Sequence, residues 1–510
     1  VNVYMTDSQT TTESKCCGTC GCRSTCAVSP KFDETIGRIL QDKRSLFNLV
    51  NSKSSPLNIV LPDTAVFNHR NFIKVLKDSG ITGRVLFTSK PNKSKGILSA
   101  LSLEGASVDV SSEEATKNAL ACGIKGENIQ ASGPKSLDYI YLALSHGSVI
   151  SVDSPSELEN INSLLAQNQN LPKARILIRI CGFESDRVSF TPSDAPFGIA
   201  VAKIEPILQR CLELAENVEL LGIHFHLLSG YKEERLIAFE NALTVLQKAN
   251  HLGLSPKIIN IGGGFKVRYA ADLGEWQRFQ SYLKQSVLGK VQPITWDSSG
   301  LGFRAEAGRI AGAPVFADHF PSDYGSSELA NFLAQRSPLF DDCTVGELMR
   351  DLMLELWVEP GRAMLDQVGI TLAEVRGVKE SASGQSLIML GMNNSNLMSR
   401  ENKLLTQPIF ISKTQRAPST KSFYLFGNLC IASDLIQYQK AYPGFVPEPG
   451  DLVAFINTAA YHQDFVESEI LHQKRAEKVS LFLRNHEIIN IDDERCTPAQ
   501  IIALRGSNGN

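Results

Sequence analysis

With 510 residues, 43% of them hydrophobic and 21% charged, the chain is long enough for two substantial cores and has the composition of a globular protein. A net charge near -3 excludes the basic footprint of a nucleic-acid-binding protein and gives no attraction to a membrane surface. No apolar run approaches the roughly 20 residues of a membrane span, and the first thirty residues lack the apolar core of a secretory signal, so the cytoplasm is the expected compartment.

Five of the eleven cysteines, Cys16, Cys17, Cys20, Cys22 and Cys26, crowd one Ser-, Thr- and Gly-rich stretch. Residues 1–30 therefore read as a disordered tail with reducible thiols. The spacings fit no zinc module and no histidine stands nearby, so no metal site is expected. The other cysteines are scattered singly, which argues against a disulfide framework. Apolar residues recur at helical spacing from Phe32 to Leu49, and Pro56 precedes a short strand, Leu57 to Leu61. A helix over Thr64 to Lys77 leads to the strand Val85 to Phe87. Further strands are expected at Ser107–Val110, Asn128–Ala131, Ser148–Val152, Ala174–Ile180, Val218–His226, Lys257–Ile261 and Leu354–Val358, with helical patterns such as Ile204–Ala215 and Glu234–Asn250 between them.

Eight strand-then-helix units counted from Val85 predict an α/β fold, a closed (β/α)8 barrel over residues 61–369. After Leu365, strand-like runs at Leu387–Leu390, Ser422–Phe426 and Leu452–Ile456 follow one another, separated by Gly, Pro and Asn. They predict an all-β domain from 370–510, joined by residues 31–60, and closing with a helix over Pro498–Leu504 that Thr497 caps. Between Gly264 and Glu359 lie 94 residues, far more than one βα loop requires. Residues 266–353 thus read as an insertion near the active site, either a lid or a packing appendage.

The chemistry is expected at the carboxyl ends of the barrel strands. Pro91 forbids a continued ladder, so Lys90 sits where its strand opens into a loop. A lysine held there beside apolar walls loses its proton more readily and can attack an aldehyde. His224 and His226 share one face of their strand. The pair suits a metal, or one imidazole lies against an aromatic cofactor while Ser229 donates to its phosphate. Gly262, Gly263 and Gly264 let backbone amides approach an anion. Glu359 could keep a pyridine nitrogen protonated, and Arg362 could hold phosphate or a second carboxylate.

Together these residues resemble the fold type III pyridoxal-phosphate enzymes, in the branch of ornithine and diaminopimelate decarboxylases, from about Pro56 to Phe465. Ser89-Lys90-Pro91-Asn92 is similar to the segment holding the lysine that binds the cofactor covalently. The stretch Gly105 to Glu113 is similar to the motif whose aspartate, here Asp109, lies near cofactor and lysine. The resemblance implies a cofactor-site arginine at Arg179, a ring-stacking His226, a phosphate ligand at Ser229 and a phosphate loop at Gly262–Gly264. It further makes Glu359 the ring-nitrogen partner and Arg362 its phosphate-side neighbour. Gly427 to Cys430 is similar to the motif whose cysteine reaches into the partner subunit's site, and Ala459-Ala460-Tyr461 to a tyrosine motif at the phosphate.

The resemblance implies pyridoxal 5'-phosphate as cofactor, decarboxylation of a small amino-acid-type substrate by Lys90, Cys430, Glu359 and His226, and a homodimer with shared sites. A pyridoxal-phosphate racemase or epimerase is the alternative within the cofactor class, and a metal-dependent barrel hydrolase the alternative outside it. Three departures stand out. Ile431 replaces the acidic residue that usually follows the cysteine and holds a distal ammonium. Pro196 stands where a basic residue often precedes Phe-Gly, and Leu228 replaces a glycine before Ser229. The first predicts a substrate other than lysine, ornithine or diaminopimelate.

Overall fold

The computed structural model describes residues 26–187, 196–227, 231–397, 403–484 and 487–506. Eight parallel strands close a barrel: β1 Gly83–Thr88, β2 Ser107–Val110, β3 Ile129–Ala131, β4 Val149–Val152, β5 Ala174–Cys181, β6 Val218–His224, β7 Ile258–Asn260 and β8 Glu355–Val358. Each pairs with the next in the chain, and β8 pairs with β1 to complete the ring. In β1, Val85 and Phe87 turn outward into the core shared with the helices, while Leu86 turns inward. Inside, Leu86, Val149, Leu177, Ile258 and Trp357 form an apolar plug, so the barrel is packed rather than open. Further along the same strands the buried side chains become polar: Gln130, Ser151, His224 and Asn260. Serines start four successive helices around the ring. Ser94, Ser112, Ser136 and Ser154 each accept a backbone N–H of the first turn, a cap that stabilises a helix by about 1 kcal/mol.

The second unit is an eight-stranded sheet. Leu57–Val60, from the amino-terminal part of the chain, runs antiparallel to Gly369–Glu380 on one side and parallel to Glu477–Arg484 on the other. Leu57, Ile59, Ile370, Leu372, Leu452 and Leu481 bury one face of this sheet under Ile36, Ile39, Leu46 and Leu49. The helical pattern expected over Phe32–Leu49 is two helices, Glu34–Gln41 and Lys43–Ser52. Asp42 divides them, because its carboxylate accepts the N–H of Ser45 and starts the second.

Two sequence expectations need correction. The residues before 26 lie outside the described residues, but the tail does not extend to residue 30. Val28 is buried with Trp276, Phe279 and Leu301, and Lys31 N–H donates to Tyr269 O. Nor is 266–353 a single appendage. The helix Leu273–Val287 belongs to that separate core, whereas Leu329, Phe332, Val345 and Met349 join the main barrel core. Residues 326–351 thus supply the helical cover that β7 would otherwise lack. No helix among the described residues is long and apolar enough to cross a membrane.

Candidate active site

Glu359, directly after β8, is buried at the carboxyl end of the barrel. Gln130 from β3 donates to its Oε1 at 2.6 Å, and Asn260 from β7 donates to the same oxygen at 2.7 Å. The two carboxamides also bond each other, Asn260 Nδ2 to Gln130 Oε1 at 2.8 Å. Gln130 Nε2 reaches Asp109 Oδ1 as well, at 3.2 Å, so one amide links two buried carboxylates. Burial pushes both carboxyl groups upward, Asp109 strongly, and the charge of Glu359 raises Asp109 further; Arg179 opposes the shift on both. Two acids buried this close, with no cation among the described residues bonded to either, fit a site that receives a positively charged ring.

His224 ends β6 with Nδ1 at 2.7 Å from Ser151 Oγ of β4 and Nε2 at 3.4 Å from Glu359 Oε1. Burial first, then the charge of Arg179, lowers its pKa well below the ordinary range. Both causes favour the neutral imidazole over an ion pair with Glu359. His226 lies deep in the barrel mouth yet is exposed there, and its Nδ1 accepts the N–H of Gly263 at 3.2 Å. The crowding of protein around it, then Arg179 and Lys90, also depress its pKa. Phe225 points the other way, edge-on to Phe183 in the outer core.

The glycine loop needs its glycines. Gly262 has φ +65°, and a Cβ there would meet Phe225 O at 2.6 Å; one on Gly263 would meet Glu359 O at 2.6 Å. The expectation of three free amides is corrected, however. Gly262 N–H donates to Asn260 Oδ1 at 2.9 Å and Gly263 N–H to His226, so of the three amides only that of Gly264 has no acceptor among the described residues. Arg362 donates to Tyr269 Oη at 2.9 Å and its guanidinium lies 4.9 Å from the Tyr461 ring.

Lys90 is exposed in the first turn beyond β1, not enclosed by apolar walls as expected. The residues after it are bolted to the β domain. Tyr461 N–H donates to Pro91 O at 3.1 Å, Asn92 Nδ2 to Ala459 O at 2.9 Å, and Lys93 N–H to Asp464 Oδ2 at 3.0 Å. Tyr461 itself is held at φ +66°. Arg179, on β5, stands over Phe197 at 5.0 Å. Cys430 is exposed on a turn of the β domain and makes none of these contacts in its own chain. Ser229 and Leu228 lie outside the described residues.

The structure thus gathers Lys90, Asp109, Arg179, His226, Gly262–Gly264, Glu359, Arg362 and Tyr461 at one end of the barrel and leaves Cys430 apart. Gln130, Ser151 and Asn260 were missed by sequence reasoning. Their signal was slight: a polar residue at the inward position of a short apolar strand. Among the described residues no three His, Cys, Asp or Glu side chains gather as metal ligands, which the hydrolase alternative requires.

A buried carboxylate with one free oxygen, an imidazole in the mouth, a glycine cradle beside an arginine, and a strand-end amine together fit pyridoxal 5'-phosphate. They define a barrel enzyme of the pyridoxal-phosphate class. Comparison with known proteins agrees. Residues 66–313 match the family model for the pyridoxal-dependent decarboxylase pyridoxal binding domain. The uncharacterized protein y4yA of Sinorhizobium fredii is 28% identical over 433 residues, covering 83% of this chain and 87% of its own. Diaminopimelate decarboxylase of Staphylococcus aureus is 23% identical, covering 88% and 93%. Among solved structures, diaminopimelate decarboxylase of M. jannaschii in co-complex with L-lysine shares the fold with a TM-score of 0.64 at 18% identity, covering 90% and 94%. Over residues 66–313 the chain thus matches the pyridoxal binding domain of the pyridoxal-dependent decarboxylases, and over most of its length it is similar to carbon-carbon lyases of that kind.

Proposed function

We propose that this enzyme removes the α-carboxylate of an amino acid, or of a metabolite carrying an amino-acid group, whose distal end is not a simple ammonium. The observation that carries this reading is the turn after Cys430. Ile431 is 42% exposed at the position where the resemblance implies an acid. The one acid in the turn, Asp434, is buried and committed: its carboxylate accepts the N–H groups of Leu429 and Asn394, both at 2.8 Å. A distal ammonium would meet no carboxylate here, at a cost of a few kcal/mol. The M. jannaschii relative, by contrast, is described in complex with L-lysine, which has such an ammonium.

When bound, pyridoxal 5'-phosphate supplies a ring that accepts electrons as the carboxylate leaves. Lys90 Nζ is the amine that would tether it, and Glu359 the carboxylate that would keep its ring nitrogen charged. Gly264 N–H, Arg362 and Tyr461 would hold the phosphate, with Ser229, while Asp109, Arg179 and His226 complete the pocket. Cys430 Sγ of a second copy, or Lys90 Nζ, delivers the proton that replaces the lost carboxylate at the α-carbon. The reading extends to a cytoplasmic homodimer acting in amino-acid metabolism, each site lying between two copies.

Full-length protein with pyridoxal 5'-phosphate should release CO2 slowly or not at all from lysine, ornithine and diaminopimelate, and faster from amino acids with neutral or acidic distal ends. Brisk turnover of any of the three basic substrates would sink the proposal. Borohydride reduction followed by peptide mapping should place the cofactor's mass on Lys90.

A further inference from the structure

Glu359 receives two hydrogen bonds on the same oxygen, and a third group waits beside it. Oε1 accepts from Gln130 and Asn260, while His224 Nε2 stands 3.4 Å away. Nε2 is fully buried, and no described residue offers it any other partner. A neutral imidazole has one protonated and one bare nitrogen. With the proton on Nδ1, the lone pair of Nε2 would face an oxygen already rich in electrons, inside a dry part of the barrel. With the proton on Nε2, Ser151 Oγ–H donates to Nδ1 at 2.7 Å, and Nε2–H lies 3.4 Å from Oε1, an electrostatic approach rather than a formed hydrogen bond.

We propose that Ser151 and His224 are positioning residues that lock the Nε2–H tautomer and set an electrostatic clamp beside the two amide donors on Glu359 Oε1, leaving Oε2 to face the cofactor ring. Glu359 Oε2 has no partner among the described residues, whereas Oε1 is approached from β3, β6 and β7 at once. Two amide donors and a nearby neutral N–H dipole favour the carboxylate without adding a cation that would compete for it. The charged groups around His224 are Arg179, Lys135, Glu359 and the neighbouring His226, and the two cations among them disfavour a further proton on the imidazole. The role given to Oε2 rests on the reading of Glu359 as ring-nitrogen partner. The tautomer does not.

The test is proton–nitrogen correlation spectroscopy of the full chain with 15N-labelled histidine, with and without pyridoxal 5'-phosphate. His224→Gln identifies the signal among nine histidines, and Ser151→Ala provides a milder second variant. A neutral Nε2–H imidazole is expected in the wild type. Ser151→Ala should give a mixed tautomer and weaken cofactor binding about tenfold, as loss of one hydrogen bond in a chain leading to a charged group does. A wild-type Nδ1–H or doubly protonated ring would overturn the clamp, as would Ser151→Ala with unchanged tautomer and affinity. Separately, Glu359→Gln that keeps wild-type cofactor affinity would overturn the assignment of Oε2 to the ring.

Discussion

Asp109 and Glu359 share one carboxamide hydrogen-bond donor, Gln130, and burial raises the proton affinity of both. The consequence for stability has a definite sign. When a carboxyl pKa is higher in the folded state, the folded protein binds more protons than the unfolded one across that interval. Stability then falls as pH rises through it and stays lower above. Asp109→Asn removes this penalty. In the cofactor-free protein it should stabilise by about 1–3 kcal/mol near neutral pH and by nothing near or below the ordinary carboxylate range. Urea midpoints at two pH values check this, and equal effects at both would refute it. Bound pyridoxal 5'-phosphate, whose protonated ring nitrogen Glu359 would hold in the proposed site, should shrink the neutral-pH gain.

The segments that carry Lys90 and Tyr461 are hydrogen-bonded into one piece. Asn92 is wholly buried and bonds Ala459 and Gln463 with its amide, while its oxygen accepts from Lys478 at 3.1 Å. Lys478 also pairs with Asp464, the side chains only 10% and 7% exposed. Removing the cation by Lys478→Met leaves Asp464 buried beside Glu467, with the Lys93 backbone N–H at 3.0 Å and, among the described residues, the Lys93 ammonium at 3.9 Å as its remaining cation. The expected loss is about 3–5 kcal/mol, accompanied by weaker cofactor binding. A variant that loses stability but binds pyridoxal 5'-phosphate as before would show that the bolt does not position Lys90. Little of this was legible in the sequence. Pro91, the triple glycine and Glu359-Pro-Gly-Arg362 announce themselves because each marks a strand end with an unusual backbone demand. Gln130, Ser151 and Asn260 are single polar residues in strands of three or four. Only the barrel's closure shows that they point at one another. The break at Asp42 was hidden for a similar reason, because apolar spacing continues across a carboxylate that caps a new helix. Asp464 and Lys478 meet through tertiary contact alone.

At the scale of the molecule, the separation of Cys430 from Lys90 within one chain leads to a test of the two-copy site. Lys90→Ala and Cys430→Ala should each be nearly inactive. Mixed under conditions that exchange subunits, they should regain about a quarter of wild-type activity, since half the dimers are hybrids and each hybrid holds one intact site. No recovery in a mixture shown by mass to contain hybrids would place both residues in one subunit's site. Lysine, exposed at the barrel mouth rather than walled in, is consistent with a pocket whose last side is furnished by another copy.

The strand Leu57–Val60 lies between Gly369–Glu380 and Glu477–Arg484. Synthesis therefore runs against assembly: a strand made among the first sixty residues waits for neighbours made some three hundred and four hundred residues later. While the ribosome is still working, the barrel has everything it needs to close, yet the platform that grips Pro91, Asn92 and Lys93 does not exist. A chain stopped short of Glu477 would leave one edge of Leu57–Val60 bare and ready to pair with a stranger. Such a product should clump or be handed to chaperones, even though every residue proposed to hold the cofactor had already been made.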